Sequence, residues 1–222
     1  MAQPTPFTFP REYSFPPFFT RQTNLTTHHA QLTKWSDLIL SYCRHYRIFK
    51  LSLGAAVPAS TTTTSSGPTA TSTFGFPIYG EADAAVPSSG GSRTAEELFH
   101  NKKLNKRLSL ADARDVIEFM RKDGRAEYVG AGGSQNQTAG DLVWIYWRTP
   151  EEWAALVEAW VDETGQKGVV LTLYELTEGD NSKDAEFHGL DQDLLLKALT
   201  ILSKRGKAQI FGQEDSQGVK FF

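Results

Sequence analysis

The chain has 222 residues, of which 40% are hydrophobic and 22% charged, a composition ordinary for a globular protein of one large or two small domains. No apolar run approaches the ~20 residues that cross a bilayer, and the first residues lack the basic and apolar regions of a signal peptide. A single cysteine, Cys43, excludes an internal disulfide and fits a reducing compartment. We therefore expect a cytoplasmic protein.

The formal charge of −3 is unevenly distributed along the chain. Residues 149–222 carry 7 Lys and Arg against 14 Asp and Glu, a net charge of −7. An acidic part of this kind repels phosphate backbones and attracts a basic partner, or it simply keeps the protein in solution. Charge alone leaves both interpretations open.

The N-terminal segment contains the stretch YSFPPFFTRQ. Its two prolines, Pro16 and Pro17, fix φ and favour an extended, polyproline-like backbone. Phe18 and Phe19 then add large apolar side chains to a segment that has no amphipathic period. These rings must be buried either in a partner's pocket or on this chain's first helix beside Trp35, and the residues alone favour neither.

Four amphipathic helices are predicted in the rest of the chain from apolar spacing, capping residues and glycine stops. The third opens with a capping box, Thr149-Pro150-Glu151-Glu152. The expected positions of the four are about Thr27 to Phe49, from the N-cap Ser109 to Gly124, from Thr149 through Val161, and from the N-cap Asp191 to Gly206.

Between the first two helices, the composition from Gly54 to Ser92 becomes almost entirely Ala, Thr, Ser, Gly and Pro. Such a segment buries too little apolar surface to offset its chain entropy, so we predict a disordered insertion. A smaller glycine-rich loop covers Gly130 to Gly140. Neither segment has the Gly-Lys-Ser/Thr ending of a phosphate-binding loop.

A repeat organises the remaining segments. Met120–Gly130 (MRKDGRAEYVG) aligns with Leu202–Gly212 (LSKRGKAQIFG) at an offset of 82 residues, and each copy ends a helix at glycine and begins an alternating strand. A short helical segment is expected before each copy and a second strand after it. These are Glu96–Asn101 and Asp141–Trp147 in the first half, and Leu173–Glu178 and Gly218–Phe222 in the second.

The sequence therefore predicts an α+β fold of two tandem winged-helix domains, each with a three-helix core and a β-hairpin wing. The expected units are an extended N-terminal segment at 1–25, a first domain at 26–148 with the insertion at 54–92, and a second domain at 149–222.

Catalytic and metal-binding constellations are missing from this pattern. No Cys or second His falls at metal-ligand spacing, and there is no His-Glu-x-x-His. Cys43 lies on the apolar face of the first predicted helix, where a buried structural thiol is expected. We therefore predict no enzyme, no metal and no cofactor.

Nucleic-acid binding is the competing function for a winged-helix protein. A recognition helix usually offers Arg, Lys, Asn or Gln near its start, but the fourth helix opens with Asp191-Gln192-Asp193. The one locally basic stretch, Lys102 to Arg107, precedes the second helix rather than lying on it. Since phosphate contacts supply most non-specific affinity, we expect a protein-interaction module instead.

Several stretches resemble the vacuolar protein sorting-associated protein 25 family, the small subunits of the endosomal sorting complex ESCRT-II. They are FPREYSFPPFFTRQTN, WSDLILSYCRHYRIFKLSL, VVLTLYELTEGD, EFHGLD and the terminal GVKFF. The resemblance covers nearly the whole chain except Gly54–Ser92 and the glycine-rich loop.

The resemblance implies a non-catalytic scaffold with two copies in a Y-shaped heterotetramer, each docked on a different larger winged-helix subunit. It places a docking motif for the partner's hydrophobic pocket on Pro16, Pro17, Phe18 and Phe19. It also implies that the second domain recruits the N-terminal region of an ESCRT-III subunit at the cytosolic face of endosomes, where cargo enters multivesicular bodies.

The family motif does not identify the ESCRT-III contact residues. The exposed acidic positions Glu158, Asp162 and Glu175 are candidates. Direct nucleic-acid binding is not expected, and membrane association is expected only through the complex.

Overall fold

A computed structural model describes residues 6–57, 91–130, 142–212 and 217–222. Two units follow each other in it, and each begins with a helix and a strand and ends with a helix and two strands, with further helices between. Each unit has a three-stranded antiparallel sheet in which the last strand lies between the other two. This repeated topology confirms the prediction of two tandem winged-helix domains.

The first unit begins with two 3-10 helices, Arg11–Ser14 and Pro16–Phe19. Its further elements are α1 (Leu25–Tyr46), β1 (Lys50–Ser52), α2 (Leu53–Ala56), α3 (Gly91–Phe99), β2 (His100–Asn101), β3 (Lys106–Arg107), α4 (Leu110–Lys122), β4 (Ala126–Tyr128) and β5 (Leu142–Ile145). The order of its sheet is β1-β5-β4, and β2 and β3 form a separate short hairpin.

The second unit starts directly after the first. Its elements are α5 (Pro150–Thr164), β6 (Val170–Thr172), α6 (Leu173–Glu178), a 3-10 turn (Asp180–Ser182), α7 (Gln192–Lys204), β7 (Ala208–Phe211) and β8 (Gly218–Phe221). The order of its sheet is β6-β8-β7.

Capping side chains set the starts of the long helices. Ser109 and Asp191 cap α4 and α7, and Thr149 and Glu152 form the predicted capping box of α5. The first helix differs from the expected Thr27 to Phe49. Asn24 accepts hydrogen bonds from two backbone N–H groups and starts α1 earlier, and Arg47, at φ 53°, ends it before Phe49.

The structure corrects both boundaries of the insertion predicted at Gly54–Ser92. Its first residues belong to α2, in which Ala56 is fully buried, and the following Val57 is also buried. Its last residues, Gly91 and Ser92, begin α3, which replaces the expected helical segment Glu96–Asn101. Residues 58–90, and most of the glycine-rich loop at 131–141, lie outside the described residues.

Two hydrophobic cores fill the units, and β5 contributes to both. Val143 and Ile145 point into the first core, whereas Trp144 and Tyr146 lie in the second. Because strand side chains alternate between faces, one strand can serve two cores. Phe49, expected on the first helix, also lies in the second core.

Candidate interaction site

The Pro-Pro-Phe-Phe stretch is helical, which corrects the expected extended backbone. Phe18 N–H donates to the Phe15 carbonyl at 2.9 Å, and Thr20 N–H donates to the Pro17 carbonyl at 3.2 Å. Pro16 and Pro17 occupy the start of this 3-10 helix, where a missing N–H costs nothing and a φ near −65° is suitable. The turn reverses the chain and separates exposed from buried residues.

Phe18 and Phe19 are buried in this chain's own first core. They are 6% and 4% exposed. The Phe18 ring stacks on Trp35 with 4.4 Å between centroids and 5° between planes, and Phe19 meets the same indole edge-on at 5.5 Å. The expectation that these two rings fill a partner's pocket therefore disagrees with the free chain, which buries them beside Trp35.

Hydrogen bonds hold the segment in place. The Trp35 indole N–H donates to the Phe18 carbonyl at 3.0 Å, and Gln31 donates to the same oxygen at 2.8 Å. Further towards the N-terminus, the Tyr13 hydroxyl donates to the Glu97 carbonyl at 2.5 Å, and Asn101 donates to the Tyr13 carbonyl at 2.7 Å. The segment is thus fixed on α1, α3 and β2.

Burial also stabilises the neutral form of the Tyr13 phenol. The pKa of Tyr13 is raised well above its ordinary value because the ring lies out of solvent and near the Glu97 carboxylate. A neutral hydroxyl can serve as the donor in the bond to α3 across the whole neutral range.

The segment exposes the three residues that come just before the buried rings. Phe15 is 61% exposed, and Pro16 and Pro17 are exposed as well. We call Phe15–Pro17 the FPP ridge. Phe15 was missed from the sequence because four aromatic or proline neighbours follow it, and only the 3-10 turn separates those that face solvent from those that face the core.

The three acidic candidates of the second domain all have partners within the chain. Asp162 pairs with Lys167 at 2.7 Å, and Glu158 lies 3.5 Å from the Lys207 ammonium. Glu175 accepts hydrogen bonds from the backbone N–H and the hydroxyl of Thr172, at 2.7 and 2.8 Å.

Glu175 therefore has a structural role that sequence reasoning missed. With Thr172 it forms a second capping box, at the start of α6. The bond from the Thr172 backbone N–H lowers the pKa of Glu175. The motif Thr-Leu-Tyr-Glu was readable in the sequence, since it repeats the spacing of the box at Thr149.

The second domain also exposes an apolar surface. Val170 is 56% exposed, Val169 44%, Tyr174 70% and Phe222 52%. Val170 lies opposite Lys220 in the sheet, and the Lys220 ammonium is 5.6 Å from the centroid of the Phe222 ring. Residues directly opposite in antiparallel strands share a face, so Val170, Lys220 and Phe222 lie on the outer sheet face.

Helix α7, the third helix of the second domain, has its polar side chains against the first domain. Lys50 on β1 pairs with Asp193 at 2.7 Å, and Lys197 pairs with Glu127 on β4 at 2.7 Å. Between the two pairs lies Trp144, with the ammonium groups of Lys50 and Lys197 at 4.5 and 5.2 Å from its ring. We call these five residues the interdomain clamp.

The charges of the clamp stabilise one another. Burial alone would lower the pKa of Lys50, but its hydrogen bonds to Asp193 and Asp191 outweigh this and raise it. Burial would likewise raise the pKa of Glu127, and the bonds from Lys197 and Tyr146 lower it instead. Lys50 and Glu127 therefore stay charged at neutral pH.

The equivalent helix of the first domain, α4, is also occupied. The Arg21 guanidinium from the N-terminal segment donates to Asp115 at 2.5 Å and lies 3.9 Å from Asp112. A winged-helix protein that reads DNA needs this helix free to enter the major groove. Both recognition-type helices here contact the chain itself, so the geometry does not favour nucleic-acid binding.

Cys43 is fully buried on α1, and burial raises the pKa of its thiol well above the ordinary value. Among the described ranges, no group of three His, Cys, Asp or Glu side chains is placed to hold a metal ion. In the same residues, no helix combines the length and apolar character needed to cross a bilayer.

Comparison with known proteins identifies the family. A family model described as "ESCRT-II complex subunit" matches residues 12–191. The chain belongs to this family. Its relatives carry the name "vacuolar protein-sorting-associated protein 25": the human protein is 35% identical over 97% of this chain and 98% of its own, and the Dictyostelium discoideum protein is 33% identical over 97% and 96%.

Solved structures of ESCRT-II subunits have the same fold. A crystal structure of the VPS25 subunit matches with a TM-score of 0.70 at 25% identity, covering 96% of this chain and 98% of that one. A chain of the endosomal complex ESCRT-II (VPS22/VPS25/VPS36) matches with a TM-score of 0.69 at 27% identity over the same shares.

Proposed function

We propose that this ESCRT-II family chain is a non-catalytic scaffold that links the larger subunits of the complex to ESCRT-III. Its N-terminal segment docks on the counterparts of VPS22 and VPS36, with two copies of the chain per complex. Its second domain recruits the N-terminal region of an ESCRT-III subunit for sorting of ubiquitinated cargo. The complex acts at the cytosolic face of endosomes.

The single observation that supports docking most directly is the FPP ridge. Phe15 leaves a large ring in solvent, while the next aromatic pair is buried beneath the same turn. An exposed aromatic residue on a braced turn binds with little loss of conformational entropy. Covering the Phe15 side chain stabilises a contact by about 1–2 kcal/mol, and the two prolines extend the apolar surface beside it.

Phe18 and Phe19 therefore support docking by holding the FPP ridge in place, and they do not contact the partner themselves. Their rings and the bonds from Trp35 and Gln31 hold the ridge in one orientation. The motif implied by the family resemblance is kept, with Pro16 and Pro17 on its contacting side and the phenylalanine pair as its support.

Recruitment of ESCRT-III is assigned to the outer sheet face of the second domain. Val170 and Phe222 offer apolar contact there, within a domain of net charge −7. A basic amphipathic helix would satisfy both properties, because its apolar face covers the valine and phenylalanine while its charges meet an acidic domain. Glu158 and Asp162 contribute to the net negative charge of the domain and do not form a specific contact with the partner.

Co-purification with the two larger subunits tests docking. We expect the variant Phe15→Ser with Pro16→Ala and Pro17→Ala to keep its melting temperature and to lose assembly. The matched control is Phe222→Ser, which removes an equally exposed aromatic ring from the other domain. It should assemble normally and lose binding to the ESCRT-III N-terminal region.

Assembly of the ridge variant at the wild-type level would refute docking through Phe15–Pro17. Normal ESCRT-III binding by Phe222→Ser and by Val170→Asp would refute the assignment of the outer sheet face. The two results are independent, since each variant leaves the other surface intact.

A further inference from the structure

The turn between β2 and β3, together with the first residue of β3, presents three lysines, Lys102, Lys103 and Lys106, and we call this group the basic turn. All three are exposed. We infer that this basic turn contacts anionic lipid headgroups directly, as a peripheral membrane contact. The sequence predicted only an indirect membrane association, through the rest of the complex.

The turn is firmly based on the first core. Leu104, in the middle of the lysines, packs against that core, and its N–H donates to the Asn101 side chain at 3.1 Å. Asn101 is 7% exposed and also holds the Tyr13 carbonyl. Asn105, at φ 49°, closes the turn in the left-handed region that Asn tolerates. The lysines thus project from a fixed base.

Among the described residues, no acidic side chain pairs with these lysines. Within residues 6–57, 91–130, 142–212 and 217–222, none of the three forms an ion pair, whereas neighbouring Arg107 pairs with Glu96 at 3.0 Å. Most other lysines of the chain differ in this respect: Lys34, Lys50, Lys167, Lys197 and Lys207 all have acidic partners.

The chemistry of the turn favours a diffuse anionic surface over a defined ligand. Lysine is a flexible, strongly hydrated point charge, whereas arginine suits bidentate recognition of one phosphate or carboxylate. These lysines also do not line the groove beside Phe7 and Phe18 or the small cavity beside His28. A planar membrane surface can meet such a projection.

The net charge of the second domain favours one orientation of the chain on the membrane. Residues 149–222, at net −7, are repelled by anionic lipid, while the turn is attracted. Contact through the turn would therefore favour an orientation in which the acidic second domain lies away from the bilayer.

Binding of the full chain to vesicles at low ionic strength tests the inference. The vesicles contain phosphatidylserine and phosphatidylcholine in equal parts, with pure phosphatidylcholine as the reference. The test variant is Lys102→Ala with Lys103→Ala and Lys106→Ala. The control variant is Lys122→Ala with Lys183→Ala and Lys204→Ala, which removes the same charge from dispersed, exposed lysines that likewise have no ion-pair partner among the described residues.

Each lysine near an anionic surface contributes about fivefold in affinity, so the test variant should bind about a hundredfold more weakly, and the control should bind nearly as wild type. Equal losses in both variants would overturn the inference, because net charge alone would explain them. Absence of wild-type binding to the anionic vesicles would also overturn it.

The inference would also be overturned by a test variant that binds vesicles normally but fails to assemble with the larger subunits. That result would indicate that the turn contacts an acidic protein partner. Should the triple alanine variant melt at a lower temperature, the exposed change Lys103→Glu replaces it, with Lys183→Glu as its control. Loss of vesicle binding by Lys103→Glu alone is then the supporting result.

Discussion

Truncating Phe18 to alanine should strongly destabilise the free chain. The side chain is 6% exposed and stacks on Trp35 at 4.4 Å. Its burial contributes about 1.5–3 kcal/mol and the aromatic pair about 0.5–1.5 kcal/mol. Together these approach the about 3–5 kcal/mol measured for removing a buried phenylalanine elsewhere. At roughly 2–4 °C per kcal/mol for a chain of this size, the melting temperature should fall by about 6–20 °C.

Thermal unfolding followed by circular dichroism measures this directly. Phe15→Ala is the matched control, because it removes the same ring from a position that is 61% exposed, and it should change stability by no more than about 0.5 kcal/mol. Equal melting temperatures for the two variants would refute the assignment of Phe18 to the core. The ring would then be free to enter a partner's pocket, as the family resemblance implied.

Two further predictions concern charged contacts. A double-mutant cycle on Lys197→Ala and Glu127→Ala should give a coupling of about 0.5–1 kcal/mol in urea unfolding, as for a partly exposed pair; zero coupling would argue against the contact between domains. The second prediction is a pH dependence. Arg148 donates to Glu186 at 2.9 and 2.6 Å and lowers the pKa of that carboxyl below its ordinary 4.5. A lowered folded pKa adds stability that is present above the unfolded value and is lost as the pH falls through the folded one. The melting temperature of the wild type should therefore exceed that of Glu186→Gln at neutral pH, and the difference should shrink below about pH 4.5. A difference that is constant with pH would contradict this.

Local signals in the sequence predicted most of the fold. The N-caps Ser109 and Asp191 begin their helices where expected, because a cap depends only on its own turn. The repeated glycines Gly124 and Gly206 have φ of 69° and 70°, left-handed values that glycine adopts without strain. The repeat therefore carried the same geometric requirement into both domains.

Long-range packing was not predictable in this way. Phe49 has helical spacing with the residues of α1, yet the left-handed Arg47 turns the chain and places the ring in the second core. Likewise, alternation in β5 separates Trp144 from Val143 but does not tell which core each face meets. Periodicity reports that a side chain is buried and gives no information about its neighbours.

The orientation of the residues in the FPP ridge could not be predicted from the sequence for the same reason. Sequence reasoning identified the proline and phenylalanine run as the candidate site, and it could not tell which aromatic residues faced outward. That depended on a 3-10 turn and on Trp35, which lies 17 residues after Phe18.

The interdomain clamp has a mechanical consequence for any assembly that contains this chain. A flexible linker would let the second domain sample a wide volume, at an effective concentration set by linker length. Here the domains share a strand and are joined by crossed ion pairs around Trp144. The orientation of the second domain relative to the first is therefore fixed. A partner that binds the N-terminal segment also sets the direction in which the outer sheet face is presented.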